Sequence, residues 1–164
     1  MVNENYDDKT ILKDIFTGSL ELADPAKKLE KMKFDPPLGR IFFVAVGKGA
    51  GRLAKAFFKT YKEKADGIVV IPENEKCDNL GFEVIKATHP IPSQKGLEAS
   101  YKLVKAISKL GKDDLLIFCI SGGASALLPF PPEGYELEDE IQLNKVLLGS
   151  GLSIREMNLY RGEF

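Results

Sequence analysis

Apolar residues follow two patterns that alternate along the chain. Short, largely apolar runs of strand length occur at 41–46, 67–71, 82–87 and 113–120. Between these runs, apolar residues return every three or four positions, which is the spacing of one face of an α-helix. Strands that are apolar on both faces and alternate with amphipathic helices predict an α/β fold, in which helices flank a mainly parallel sheet.

Capping residues and periodicity together predict where the helices begin. An early helix contains Ile11 and Ala23, and a second begins at Asp24 and Pro25 and runs to about Lys33. Aspartate is a favoured N-cap, and proline fits the first helical position. Ser93 is expected to cap a helix that reaches Ile107. Further helices are expected at residues 53–61 and 138–149.

The loops at the carboxyl ends of the predicted strands are the expected place for a site. In open parallel sheets, ligands bind at these ends. The loops concerned are 47–52, 72–81, 88–93 and 121–125.

The loop after the fourth strand reads Ser121-Gly122-Gly123-Ala124-Ser125. A junction from strand to turn to helix directs backbone N–H groups and a helix dipole at one spot, which favours an anion. Glycine allows positive φ and close approach of a ligand, and the two serines add hydroxyl groups. We therefore expect Ser121, Gly122, Gly123 and Ser125 to hold a carboxylate or phosphate. A tight turn without a ligand explains the residue pattern equally well.

The loop after the first strand reads Gly47-Lys48-Gly49-Ala50-Gly51. It is neither a phosphate-binding P-loop nor a dinucleotide fingerprint, because the required spacing is absent in both cases. We expect Gly47 and Gly49 to bind substrate or phosphate. Lys48 is the informative residue, since an ammonium at the rim of the cleft can neutralise charge on a transferring phosphoryl group. A solvated lysine is the alternative.

Three other positions are candidates for the site. His89, the only histidine, follows the third strand and is expected to support the loops around it rather than carry protons. Asn158 and Arg161 lie three positions apart, on one face of a helix if the helix continues, and Arg161 could clamp an oxyanion. Glu73 follows the second strand, where nicotinamide enzymes bind ribose, although a solvated acid fits as well.

Composition narrows the class of protein. The net charge of −1 and the hydrophobic fraction of 44% indicate a globular domain and favour neither nucleic acid nor a membrane surface as a partner. The polar first residues are not a signal peptide, and the two cysteines suggest neither a disulfide framework nor a metal site. We expect a cytoplasmic protein without a metal site of its own.

Four motifs, in order, resemble the N-terminal domain of the glycerate 2-kinase family (the MOFRL-type glycerate kinases, some of which have been labelled hydroxypyruvate reductases). The matching segments are VAVGKGAGRLAKAF, THPIPSQKGLEAS, DDLLIFCISGGASALLPFPPEGYELED and SIREMN with Arg161. The resemblance implies a Rossmann-like, doubly wound sheet and transfer of a phosphoryl group from ATP, with Mg²⁺, to the 2-hydroxyl of D-glycerate. It also implies that Lys48 is catalytic, that residues 121–125 bind substrate or phosphate, and that Asn158 and Arg161 lie near the same site.

The chain departs from the family in length. Family members are far longer and carry a second α/β domain, and their site lies between the two domains. After Asn158 they read approximately N-x-V-R-K-H-L-S, whereas this chain has Gly162 and Glu163 in place of the lysine and histidine. We therefore expect residues 1–164 to form the N-terminal domain alone, with negligible kinase activity and with an apolar surface that favours self-association. A stand-alone binding module for an anionic metabolite and a nicotinamide-dependent hydroxypyruvate reductase are the alternatives.

Overall fold

A computed structural model describes residues 7–61 and 65–164 and contains one four-stranded sheet. The strands are β1 (Ile41–Val46), β2 (Ala65–Pro72), β3 (Glu83–Ala87) and β4 (Leu115–Ile120). All neighbouring strands are parallel, in the spatial order β3-β2-β1-β4. The α/β fold class predicted from the sequence is confirmed, and the strand bounds agree with the predicted runs to within two residues.

Seven helices connect and flank these strands in the described residues. Their bounds are α1 (Asp8–Ala23), α2 (Pro25–Lys31), α3 (Ala50–Tyr61), α4 (Gln94–Ile107), α5 (Ala124–Leu127), α6 (Leu137–Gly149) and α7 (Ile154–Glu163). The predicted helices are all present. The helix after the Ser-Gly-Gly loop has only four residues, so a helix dipole adds little there.

Two apolar clusters hold the helices to opposite faces of the sheet. On one face, Phe43 of β1 stacks on Phe57 of α3 with ring centroids 4.2 Å apart. On the other face, Val44 and Val70 pack with Leu103 of α4 and Leu127 of α5. Because β1 has both neighbours and both helix layers, all six of its residues are buried. Packing therefore holds the carboxyl end of β1, where the next loop begins, in place.

Burial on both faces was expected for every strand and is wrong for the two edge strands: Ala87 is the only buried residue of β3, and Ile117 is the only buried residue of β4. On the sheet face that packs against Leu103 and Leu127, the partners of the β1 residues in β4 are Leu116, Phe118 and Ile120. Ile120 is nevertheless 70% exposed. The physical reason is that β4 lies at the edge of the sheet, and α4 covers β3 rather than β4. The described residues thus leave an apolar stripe on one face of this strand.

Two capping predictions had different outcomes. Asp24 caps α2 as expected, because its carboxylate accepts a hydrogen bond from the backbone N–H of Ala26 at 3.0 Å. Ser93 occupies the N-cap position of α4, but its hydroxyl makes no cap hydrogen bond and is buried without a partner. None of the described helices is both long and apolar enough to cross a membrane.

Candidate functional site

The two glycine loops touch each other because β1 and β4 are neighbours. The backbone N–H of Lys48 donates to the carbonyl of Gly122 at 2.9 Å. The backbone N–H of Gly49 donates to the Ser121 hydroxyl at 3.0 Å, and that hydroxyl donates to the carbonyl of Val46 at 2.9 Å. The sequence analysis predicted that both loops follow the carboxyl ends of strands. In the structure the two loops contact each other beyond the carboxyl ends of β1 and β4.

The Ser121 hydroxyl joins the two loops. It accepts one hydrogen bond and donates another within the protein, so it has little capacity left for a ligand. Gly47 lies against it with a φ of +114°, and a Cβ at this position would collide with the Ser121 side chain. Glycine is thus required at Gly47 for both conformation and space.

Free hydrogen-bond donors lie on the β4 side of this junction. Among the described residues, the backbone N–H groups of Gly122 and Gly123 have no hydrogen-bond partner. Gly123 has a φ of +91°, and a Cβ there would lie 2.8 Å from Cδ2 and 2.9 Å from Nε2 of His89. The imidazole ring therefore packs directly against the loop that carries the free amides.

His89, in the loop after β3, packs against the Gly123 loop and lies within the electrostatic influence of Lys48. Its burial is the main reason why its pKa is lowered from the usual 6.5, and the positive charge of Lys48 lowers the pKa further. A lowered pKa keeps the imidazole neutral near pH 7. In the described part of the chain the ring makes no hydrogen bond, so it supports the loop by packing. Lys48, His89 and the Gly123 loop thus form one cluster.

Ser125, Asn158 and Arg161 line a neighbouring concavity of about 490 Å³, bounded by α5, α6 and α7. Nη1 of Arg161 donates to Oδ1 of Asn158 at 3.1 Å, which confirms that the two residues share one helical face. Nε and Nη2 of Arg161 donate to Oδ1 of Asn144 at 3.2 Å and 2.9 Å. The concavity therefore holds a guanidinium group that three hydrogen bonds fix in place.

Sequence reasoning missed Asn144, although a signal was present. It lies three residues after Ile141 and four before Leu148, on the predicted apolar side of α6. An amide at a position that the helical period reserves for the core needs a hydrogen-bonding partner, which is Arg161 here. Glu140 also faces this concavity, and burial raises its pKa although the Arg161 charge acts in the opposite direction.

Two other features of the structure bear on the rival interpretations. Glu73 forms an ion pair with Lys95 at 3.2 Å, so its carboxylate already has a partner on the surface. Another concavity, of about 690 Å³, is lined by Phe42, Gly67 and residues of α4. It lies toward the beginnings of β1 and β2, and none of the predicted site residues lines it.

The chemistry of the donor groups suits a phosphate more than a metal ion. A lysine and two free backbone amides in adjoining loops are donors of the kind that bind the oxygens of an anion such as a phosphate. Within residues 7–61 and 65–164, no group of three or more His, Cys, Asp or Glu side chains could hold a metal ion. The described residues therefore do not form a Mg²⁺ site by themselves.

Comparison with known proteins identifies relatives over most of the chain. It is 33% identical over 154 residues to a protein of Agrobacterium vitis named "Putative hydroxypyruvate reductase", and 32% identical over 155 residues to the D-glycerate 2-kinase of Thermotoga maritima. Each match covers 93% of this chain, whereas the chain spans only 35% and 37% of the two relatives.

A solved structure supports the same relationship. The crystal structure of a glycerate kinase from Thermotoga maritima superposes with a TM-score of 0.74 at 34% identity, over 90% of this chain and 36% of that one. Residues 11–164 match the model of a family described as "Domain of unknown function (DUF4147)". The chain therefore belongs to the DUF4147 family, and its relatives include proteins named glycerate 2-kinase.

Proposed function

We propose that this chain is the N-terminal part of a glycerate 2-kinase and binds an anionic group where its two glycine loops meet. The observation that carries the proposal is the hydrogen-bonded contact between the loops, which sets Lys48 beside two free backbone amides. The anionic group is a phosphoryl group of ATP or the carboxylate of D-glycerate. A cytoplasmic location belongs to the same proposal.

Each residue of the cluster has a role in this proposal. The Lys48 ammonium neutralises charge on phosphoryl oxygens, and the amides of Gly122 and Gly123 donate hydrogen bonds to one of those oxygens. ATP supplies the phosphoryl group when it is bound. The neutral imidazole of His89 keeps the Gly123 loop in place without placing a second positive charge there. Gly47, Gly49 and Ser121 hold the two loops together.

Substrate binding is assigned to the neighbouring concavity, where Ser125, Asn158 and Arg161 meet. An arginine fixed by side-chain amides is well suited to a carboxylate or phosphate, because its remaining N–H groups point in set directions. The described residues provide no carboxylate cluster for Mg²⁺, so we assign no step to that ion.

Residues 1–164 alone should transfer phosphoryl groups very slowly. Phosphoryl transfer depends on positioning and on charges that surround the reacting group, and this chain spans little more than a third of the kinase relative. The experiment is a titration of the chain with D-glycerate, ATP and NADH, together with a coupled assay of ADP release. We expect D-glycerate or ATP to bind, and Lys48→Met to weaken binding at least tenfold.

Three results would contradict the proposal or select an alternative. Binding of neither D-glycerate nor ATP would refute the assignment of the site. Oxidation of NADH with hydroxypyruvate would favour the reductase, a name that two relatives carry. Tight binding of another anionic metabolite, with no affinity for ATP, would favour a stand-alone binding module.

A further inference from the structure

Arg161 differs from the other arginines that have side-chain partners in the described residues. Arg40 pairs with the carboxylate of Asp114, and Arg52 pairs with the carboxylate of Asp24. The acceptors for Arg161 are the side-chain amides of Asn144 and Asn158, which carry no charge. Among the described residues no carboxylate forms a salt bridge with it. Glu140 lies near enough for the Arg161 charge to act on its pKa, but it accepts no hydrogen bond from Arg161. Uncharged amide oxygens therefore fix the guanidinium group in place.

Asn144 is the more buried of the two amides, with 5% exposure. Its Nδ2 donates to the backbone carbonyl of Glu140 at 2.9 Å, so its Oδ1 faces the guanidinium group. That oxygen accepts from both Nε and Nη2 of Arg161. One edge of the guanidinium group is thus held by a buried residue, and the remaining N–H groups are left for a ligand.

We propose that Asn144 is a positioning residue, which orients Arg161 and leaves its charge available for an oxyanion in the concavity between α5, α6 and α7. The oxyanion is a carboxylate or a phosphate, because both present two oxygens to a guanidinium fork. This inference rests on the proposed function for the identity of the substrate. What it adds is a reason why the residue that accepts the hydrogen bonds of Arg161 is an uncharged asparagine. A carboxylate at position 144 would hold Arg161 equally well and would neutralise it.

The test is Asn144→Asp, compared with Gln142→Glu. Both changes add one negative charge to α6, but Gln142 is exposed and contacts Glu138 instead of Arg161. Binding of inorganic phosphate and of D-glycerate to the full chain is measured by calorimetry at low ionic strength. We expect Asn144→Asp to retain the thermal stability of the wild type and to weaken binding of at least one probe tenfold or more. Gln142→Glu should change binding less than threefold.

A second measurement uses the wild-type chain and does not depend on how a variant folds. The Nε–H resonance of Arg161 is followed by NMR, and addition of the bound probe should shift it. If a probe binds without shifting this resonance, or if Asn144→Asp binds as well as Gln142→Glu, the inference is overturned while the proposed function stands. If phosphate shows the expected dependence and neither D-glycerate nor ATP binds, the proposed function fails and the inference stands. If no probe binds, both are overturned.

Discussion

Substitution of Gly123 by alanine tests whether the loops form the cluster described above. Gly123 has a φ of +91°, and an alanine Cβ there would lie 2.8 Å from Cδ2 of His89. The left-handed backbone costs a non-glycine residue about 1–2 kcal/mol, and the overlap with the imidazole adds about 1–3 kcal/mol. We therefore expect Gly123→Ala to lower the free energy of unfolding by about 2–5 kcal/mol, a large part of the total stability of a typical domain.

The adjacent Gly122 is the matched control. A Cβ at Gly122 meets no atom within 4 Å, and the residue is not among those with positive φ. Gly122→Ala should therefore leave the urea midpoint unchanged or slightly raised, because alanine restricts the unfolded chain. Combining Gly123→Ala with His89→Ala removes the imidazole that the new Cβ would overlap. In a double-mutant cycle, this double variant should therefore regain the stability lost through steric overlap but not the stability lost through the left-handed backbone. Equal destabilisation by Gly122→Ala and Gly123→Ala would refute the packing of His89 on this loop.

Four further predictions follow from the same geometry. Lys48→Met should raise the His89 pKa in an NMR titration, because the lysine charge helps to lower it; an unchanged pKa would place the lysine elsewhere. Because the folded-state pKa of His89 is lowered, the unfolded chain binds the proton first as pH falls. His89 should therefore cost stability below about pH 6.5, and His89→Gln should reduce that loss in urea titrations at pH 5 and pH 7.5. Ser121→Ala should destabilise the chain by about 1–3 kcal/mol, since the Gly49 amide loses its acceptor, whereas Ser125→Ala should have little effect on unfolding. Light scattering should show concentration-dependent self-association that Ile120→Lys reduces, and a clean monomer at high concentration would contradict this.

Periodicity was sufficient to predict the four strands and their parallel arrangement, because burial on both faces produces the same apolar runs in any parallel strand of the interior. It could not reveal that β4 has an exposed face, since Leu116 and Phe118 look as apolar in sequence as the buried residues of β1. Both N-cap positions were predicted correctly, but only Asp24 makes the expected side-chain hydrogen bond, and Ser93 does not. Whether a hydroxyl reaches the helix amides depends on its rotamer and its surroundings, and the residue type does not determine these.

The candidate site was only partly predictable for a similar reason. The glycines and Lys48 follow strands directly, so the general rule for parallel sheets places them at one edge. The bonding of Ser121 to Gly49 depends on the neighbouring positions of β1 and β4, which no local pattern encodes. The function of each residue in binding stays a prediction until the titrations are done.

The single hydroxyl that joins the two loops also determines how the edge responds to a ligand. Because Ser121 bonds to residues on both sides of Lys48, neither loop can shift without straining the other. The spacing between the ammonium-bearing residue and the amides of the fourth strand is therefore established during folding. The proposed anion would therefore need little of its interaction energy to order the backbone of either loop.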